Sequence, residues 1–134
     1  MIDAEVLWIA DRREGALLCV LVAVSAAARI EHPGMGDGAA FRAFLADRHT
    51  WTISVEHRSQ QVSVDQLLWK WLRCELAHNA ALPVDVQLYD PDENPEGLYV
   101  RAGGAPDHCV LLSAGWYWWL RRILSEWLED PQPA

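Results

Sequence analysis

Arg73 and His78 lie five residues apart near the end of a predicted helix over residues 63–79, and their side chains could do chemistry together. A helix separates two such positions by about 140° around its axis and by about 7.5 Å along it. The side chains therefore do not stack, but a guanidinium can bend towards an imidazole and grip a ligand, or a second copy of the helix, between them. Glu75 lies three residues before His78, where a carboxylate could fix the tautomer of the ring.

A plainer interpretation of the same side chains rests on helix electrostatics. A histidine in the last turn suits the negative end of the helix dipole, and an arginine one turn earlier can simply be solvated. The spacing of Arg73 and His78 by itself favours this structural interpretation. Both interpretations stay open at this point.

The helix that carries these residues has clear end signals. Ser63 is expected to cap the first free N–H groups, with the Gln66 side chain reaching back to complete a capping box. Asn79 tolerates the left-handed conformation that ends a helix, and Pro83 prevents continuation. Apolar residues at offsets of three and four predict one core-facing stripe, with Glu75 at its border. The stripe consists of Val64, Leu67, Leu68, Trp71, Leu72 and Leu76.

The rest of the pattern predicts a mainly α protein with a small sheet. We expect one long buried helix over residues 3–30 with a flaw at Gly15, and a short second helix that Asp37 caps and that ends near His49. Alternating side chains predict short strands at residues 50–57, 84–89, 98–101 and 109–112. Ser113 is expected to cap a last helix. Its core stripe consists of Trp116, Leu120, Ile123, Leu124 and Trp127. The expected fold is a helical bundle of about four helices with an appended β-hairpin or three-stranded sheet.

Length and composition predict a single domain that associates with itself. A chain of 134 residues, 51% of them hydrophobic, can form one core, so residues 1–134 are assigned to one domain. Eight tryptophans are many for this length, and tryptophan is enriched at interfaces. Trp118 and Trp119 lie off the core stripe of the last helix and mark it as a candidate subunit contact. A homodimer is the expected assembly.

The formal net charge is −8, which at first sight argues against a nucleic-acid partner. Five acids and no Lys or Arg lie between Asp85 and Glu96, so this segment alone carries −5. Ten of the eleven basic residues are arginines, the better phosphate-binding type, and most of them precede the acidic segment. A locally basic cleft is therefore compatible with the overall charge.

Cysteine usage and hydropathy predict a cytoplasmic protein without a membrane partner. Cys19, Cys74 and Cys109 are odd in number and widely spaced, which is typical of reduced thiols. The apolar run at residues 15–28 is too short for a membrane span and lacks the basic flank of a signal peptide.

A zinc site is an alternative for some of these side chains. Cys74 and His78 lie four residues apart on a helix, and His108 and Cys109 form a second pair, so four ligands can be drawn. Neither pair has finger-like C-x-x-C spacing, and buried cysteines are common as small hydrophobes. No metal or other cofactor is expected.

The run Leu72-Arg73-Cys74-Glu75-Leu76-Ala77-His78-Asn79 resembles the HEPN superfamily, small helical domains with an arginine followed a few residues later by a histidine near a helix end. A long apolar first helix, a short second helix, a small strand segment and a closing helix from Ser113 extend the resemblance to small bacterial HEPN-like proteins over most of the chain. The resemblance implies a HEPN-like helical bundle.

Many members of that superfamily are metal-independent ribonucleases that act as toxins or defence effectors, with a site where two motif helices meet. Carried over, Arg73 would bind and stabilise the phosphate and His78 would be the general acid or base, supported by Cys74, Glu75 and Asn79. The resemblance thus implies an endoribonuclease homodimer that cleaves RNA, with an antitoxin or other protein as a further partner.

Catalytic members usually carry a polar residue directly after the arginine, where this chain has Cys74, and some members only bind. The alternative is a non-catalytic HEPN-like module that binds a protein partner or a small ligand. The first hypothesis is chemically consistent, because cleavage through the 2′-OH needs proton transfer near neutral pH and stabilisation of a charged phosphorane. Histidine and arginine supply these two functions.

Overall fold

The computed structural model describes residues 2–103 and 109–130, which form five helices and five strands. The helices are α1 (Ile2–Ile9), α2 (Arg13–Glu31), α3 (Asp37–Ala46), α4 (residues 64–79) and α5 (Gly115–Glu129). The strands are β1 (Ser54–His57), β2 (Gln60–Ser63), β3 (Val86–Tyr89), β4 (Val100–Ala102) and β5 (Val110–Ser113). Strands β1 and β2 form an antiparallel hairpin, and the others form a sheet in the order β3-β5-β4.

This architecture is mixed α/β, so the prediction of a mainly α, HEPN-like bundle of about four helices with one small appended hairpin or sheet was wrong. The described residues form five helices, and their strands form two separate sheets. The physical reason is strand pairing between distant segments. Val86 pairs with Val110 in a parallel ladder, while β4 pairs antiparallel with β5. Local hydrophobic periodicity does not reveal which strands pair.

The predicted long helix over residues 3–30 is two helices, and the break precedes the expected flaw at Gly15. Helix α1 ends at Ile9, and Asp11 takes a left-handed conformation with φ of 59°. The N–H of Arg12 then donates to the carbonyl of Leu7 at 2.7 Å. This turn lets α1 pack back against α2, and Gly15 is accommodated inside α2.

Capping sets both ends of α4, but only the first end as predicted. Ser63 is confirmed as the N-cap, because its hydroxyl accepts the N–H of Gln66 at 3.2 Å. The Gln66 side chain does not complete a capping box, since its Oε1 is buried without a hydrogen-bond partner among the described residues. At the other end Asn79 is still helical, and Ala80 takes the left-handed conformation.

The middle of α4, Leu67–Cys74, is π-helical, which the sequence period did not predict. A π turn joins residues five apart, so Leu67 and Leu72 share one buried face. Trp71 lies at the edge of the core, and its ring meets the His57 ring edge-on at 4.8 Å between centroids. The wide turn therefore places an indole beside the β1–β2 hairpin.

Helix α5 begins after a hydrogen-bonded corner and not at a serine cap. Ser113 ends β5, where its hydroxyl donates to the carbonyl of Gly97 at 2.6 Å and accepts the N–H of Tyr99 at 2.9 Å. The predicted core stripe of this helix is buried and therefore confirmed. Ser113 thus holds the preceding loop and does not cap the helix.

Two tryptophans of α5 that were expected together on a subunit contact have different environments. Trp118 is partly exposed, whereas Trp119 is buried against Trp51 and Trp116. Trp119 therefore belongs to the core. Among residues 2–103 and 109–130, no helix combines the length and apolar content needed to cross a membrane.

Candidate ligand-binding site

Arg73 contacts α2 and its own helix. Its Nε donates to Ser25 Oγ at 3.3 Å, and its guanidinium carbon lies 5.0 Å from the centre of the Trp69 ring. Ser25 is itself buried and donates to the carbonyl of Leu21. Arg73 is therefore anchored between helices in a half-buried position.

The other predicted site residues do not join Arg73 in one cluster. His78 is exposed and makes no hydrogen bond or ion pair with any described residue. The partner of Glu75 is the amide of Asn79, which donates to its Oε2 at 2.6 Å, and not the His78 ring. Cys74 is a half-buried free thiol. Within one chain, the structure does not bring the predicted pair together.

The zinc alternative involves residues that the structure describes only in part. Cys109 is half-buried, and its Sγ lies 3.7 Å from the carbonyl oxygen of Val84. His108 lies outside the described residues. The pairing of Cys74 and His78 with His108 and Cys109 therefore stays a prediction.

A polar cavity of about 300 Å³ lies between the β1–β2 hairpin and α4, and sequence reasoning missed it. We call it the hairpin cleft. Its lining consists of His57, Arg58, Gln60, Gln61, Val62, Ser63, Gln66, Lys70 and Trp71. This volume is at the lower end of the range for small-molecule sites.

One carboxylate behind the cleft connects a buried histidine to an exposed arginine. Asp85 Oδ2 lies 3.1 Å from His57 Nε2 and accepts the Arg58 Nε–H at 2.8 Å, while Oδ1 accepts from a terminal nitrogen of Arg58 at 3.2 Å. The hydrogen bond from Arg58 lowers the pKa of Asp85 below its ordinary value, although burial opposes this shift. The same bond raises the pKa of Arg58. The pair is therefore ionised, and the guanidinium is held in a fixed orientation.

Arg58 lies in a strained turn. Arg58 and Ser59 connect β1 to β2 and have φ of 51° and 66°, values that favour glycine or asparagine. Neither Arg58 nor Ser59 is glycine or asparagine, so this two-residue turn adopts its conformation at an energetic cost. Asp11 and Ala80, which follow helices α1 and α4, have similar φ of 59°, so in this protein such values occur where the chain reverses direction.

Two cations flank one indole in the hairpin cleft. The guanidinium carbon of Arg58 lies 4.0 Å from the centre of the Trp71 ring, and Lys70 Nζ lies 5.0 Å from it. Lys70 is exposed and has no carboxylate partner among the described residues. The cleft thus combines an oriented cation with one that is free to bind.

Two polar atoms of the cleft residues have no hydrogen-bond partner among the described residues. They are Gln66 Oε1 and His57 Nδ1. His57 is almost fully buried, and its Nε2 lies 3.1 Å from Asp85, whereas its Nδ1 has no hydrogen-bond partner among the described residues. Buried polar atoms are usually satisfied by protein, water or ligand.

A second pocket, which we call the tryptophan pocket, borders the start of the same hairpin. Its volume is about 370 Å³, and its lining includes His49, Trp51, Ile53, Val64 and Asp65. His49 Nε2 contacts both oxygens of Asp65 at 3.1 and 3.0 Å, and its ring stacks on Trp51 at 3.6 Å. His49 Nε2 and the Asp65 carboxylate satisfy each other, whereas His49 Nδ1 is buried without a hydrogen-bond partner among the described residues. The pocket presents mainly apolar surface.

Glu31, His32 and Asp47 form the described group whose ligand atoms lie close enough to share a metal ion. Both oxygens of Glu31, however, accept hydrogen bonds from Arg48, at 2.7 and 3.2 Å. His32 Nε2 lies 3.3 Å from Asp47. The cluster is therefore explained as a cross-link between the ends of α2 and α3.

Sequence signals for the hairpin cleft were weak. The alternation at residues 50–57 predicted a strand, but the turn at Arg58-Ser59 has none of the Asn-Gly or Asp-Gly signals that mark a hairpin. Asp85 looked like the first member of an acidic run. Lys70 is the one lysine of the chain, which could have singled it out.

Comparisons with models of protein families, with curated proteins and with solved structures found no match for this chain. The HEPN resemblance and the activity that it implies therefore stay predictions from sequence.

Proposed function

We propose that this protein is a non-catalytic binding module that takes a small polar ligand in the hairpin cleft. The observation that carries the proposal is the combination of an open cavity, an oriented Arg58 and a free Lys70 on one indole. Arg73 is used for anchoring between helices, and no described contact links it to His78. Binding is therefore better supported than catalysis.

A ligand screen monitored by NMR tests this function. The indole N–H of Trp71 and the side-chain amides of Gln60, Gln61 and Gln66 give resonances that report on the cleft directly. We expect some members of a library of small neutral, cationic and anionic molecules to shift these signals saturably. A library in which no member shifts them at millimolar concentration would overturn the proposed function.

A second candidate is the metal-independent endoribonuclease homodimer, acting on RNA as a toxin or defence effector. The exposure of His78 without a described partner favours it, because a general acid or base must reach its substrate. A site shared by two copies would add the Arg73 and His78 of each. An antitoxin or other protein partner belongs to this candidate.

RNA cleavage in EDTA tests the second candidate. If it is correct, the wild type cleaves labelled RNA and His78→Ala abolishes cleavage without loss of thermal stability. Arg73→Lys keeps the charge but loses the Nε–H that donates to Ser25, and it serves as the milder partner variant. Arg122→Ala removes an exposed arginine elsewhere and is the control. Equal degradation by all four proteins would show a contaminating nuclease and contradict the hypothesis.

Cys74→Asn restores a polar residue where catalytic HEPN members have one. If the wild type does not cleave RNA and Cys74→Asn does, the result would favour a HEPN-like protein that binds RNA without cleaving it. A strict monomer in light scattering at micromolar concentration would remove the shared site and contradict the nuclease candidate.

A further inference from the structure

The charges that line the hairpin cleft are opposite in sign to those of the chain. The protein carries −8, yet the nine described lining residues include Arg58 and Lys70 and no acid. The tryptophan pocket, by contrast, has Asp65 in its wall and neither lysine nor arginine. The described lining of the hairpin cleft therefore carries two cationic side chains and no anionic one on an acidic molecule, which favours anions over cations as ligands.

Arg58 is presented for a planar, two-point contact. Asp85 uses the Nε–H and one terminal N–H of the guanidinium, and Trp71 covers one face at 4.0 Å. Three of the five N–H donors remain. The carboxylate and the indole already restrict rotation of the Arg58 side chain. An oxyanion that binds these donors therefore costs little further side-chain entropy.

Lys70 also lines the hairpin cleft and provides the second contact. Its ammonium lies 5.0 Å from the centre of the Trp71 ring, and the Arg58 guanidinium carbon lies 4.0 Å from it. Asp85 is the counter-ion of Arg58, and Glu75 lies near enough to contribute to the field at Arg58. No described carboxylate pairs with Lys70. An oxyanion that contacts both cations would supply the counter-ion that Lys70 lacks among the described residues.

The size of the cavity adds a second requirement. Gln66 Oε1 and His57 Nδ1 lack hydrogen-bond partners among the described residues, but both atoms are buried out of reach of a ligand in the cleft. A cavity of about 300 Å³ holds a ligand of a few carbon atoms, but no large cofactor.

Building on the proposed function, we propose that the hairpin cleft binds a small organic oxyanion, a phosphate or a carboxylate, through Arg58 and Lys70. The oxyanion takes the remaining Arg58 donors and the Lys70 ammonium. The hydrogen bonds to Asp85 hold the guanidinium in its orientation.

The single lysine permits a direct test. Reductive ¹³C-methylation keeps the charge of Lys70 and gives one lysine dimethylamine signal, separate from that of the terminal amine. The protein is titrated with inorganic phosphate, acetate and glycerol phosphate, with sodium chloride at equal ionic strength as the reference. We expect a saturable shift of the Lys70 signal with at least one oxyanion and not with chloride. The phosphate and acetate arms distinguish the two sources of the oxyanion.

Variants connect the shift to the cleft. Arg58→Gln should weaken the apparent affinity at least tenfold, and Arg58→Lys, which keeps the charge, should weaken it less. Arg42→Gln removes an exposed arginine on α3 and should leave the affinity unchanged. If Arg58→Gln unfolds, the comparison of Arg58→Lys with Arg42→Gln carries the test.

The outcomes separate this proposal from the proposed function. A Lys70 shift with oxyanions that Arg58 variants do not weaken, or that equals the chloride shift, overturns the oxyanion proposal. Neutral ligands that perturb Trp71 and Gln66 while no oxyanion does would also overturn it but leave the binding function standing. If no ligand of any class perturbs the cleft, both proposals fall.

Discussion

The two histidine–aspartate pairs near the β1–β2 hairpin contain the same functional groups but differ in the partners of the carboxylate. His49 contacts both oxygens of Asp65 and stacks on Trp51, so the carboxylate of that pair is closed on the ring, although His49 Nδ1, like His57 Nδ1, has no hydrogen-bond partner among the described residues. His57 contacts one oxygen of Asp85, whose remaining capacity goes to Arg58. Asp65 thus stabilises the packing of one ring, His49. Asp85 instead connects the buried His57 ring to the exposed Arg58 guanidinium.

The sharing of Asp85 also explains why the two pockets differ in charge. The Asp65 carboxylate forms part of the tryptophan pocket, but the Asp85 carboxylate lies behind Arg58 and outside the lining of the hairpin cleft. The lining of the hairpin cleft therefore includes the Arg58 cation but not its counter-ion. The difference between the pockets follows from where the acid is placed, and not from the composition of the hairpin.

The largest effect should come from removing the shared carboxylate. Asp85→Ala leaves the His57 Nε2–H buried without an acceptor and releases Arg58, so we expect a loss of about 3 kcal/mol in the free energy of unfolding. Urea denaturation followed by tryptophan fluorescence measures it. Asp92→Ala, an exposed member of the same acidic run, should change stability by less than about 0.5 kcal/mol. Equal effects of the two substitutions would show that Asp85 has no structural role.

Removing the closed pair should cost less. Asp65→Ala leaves only the His49 Nε2–H unpaired, and the ring keeps its stack on Trp51, so we expect a loss of about 1–2 kcal/mol. The same urea experiment gives the ratio between the two sites. A larger loss for Asp65→Ala than for Asp85→Ala would reverse our comparison.

The pH dependence of the free energy of unfolding should differ between the wild type and the Asp85→Asn variant. The folded-state pKa of Asp85 lies below its ordinary value of 3.8, so its stabilising contribution is present above that pH and is lost as pH falls through the folded pKa. Wild type should therefore lose stability relative to Asp85→Asn on the acid side of pH 4. Urea midpoints of both proteins from about pH 2.5 to 7 measure this, and parallel curves would contradict the assignment.

The smallest effect should come from relieving the turn. Ser59 has φ of 66°, where glycine is unstrained, so Ser59→Gly should stabilise the fold by about 0.5–1 kcal/mol. Thermal unfolding by circular dichroism measures the gain. Ser54→Gly on β1, in ordinary extended backbone, should instead destabilise. A loss of stability in Ser59→Gly would mean that the turn is not strained.

Sequence reasoning worked where the signal is local. The hydroxyl of Ser63 caps α4, and the apolar stripe of α5 is buried, because both depend on residues within one or two turns. Short strands were placed near residues 84–89, 98–101 and 109–112 from their alternation. Their pairing into a mixed sheet was not predictable, and this is why the fold class was wrong.

The candidate site was predicted from one helix and found between two elements. Arg73 and His78 were selected by their spacing. In the structure, however, Arg73 donates to the Ser25 hydroxyl on α2, and no sequence pattern indicates that Arg73 and Ser25 are neighbours. The hairpin cleft needs the π turn of α4, which no hydrophobic period indicated. A site built from several elements does not follow from the pattern of any one.

The sequence by itself determined that α4 begins after Ser63, which faces of α4 and α5 are apolar, and that Asp85 is an acid beside other acids. Only the tertiary structure decided that Asp85, 27 residues from Arg58, becomes its half-buried partner while Asp92 and Glu96 stay exposed. The reason is that local signals act through neighbouring backbone groups, whereas the ionisation and pairing of a side chain depend on what the folded chain brings within hydrogen-bonding distance.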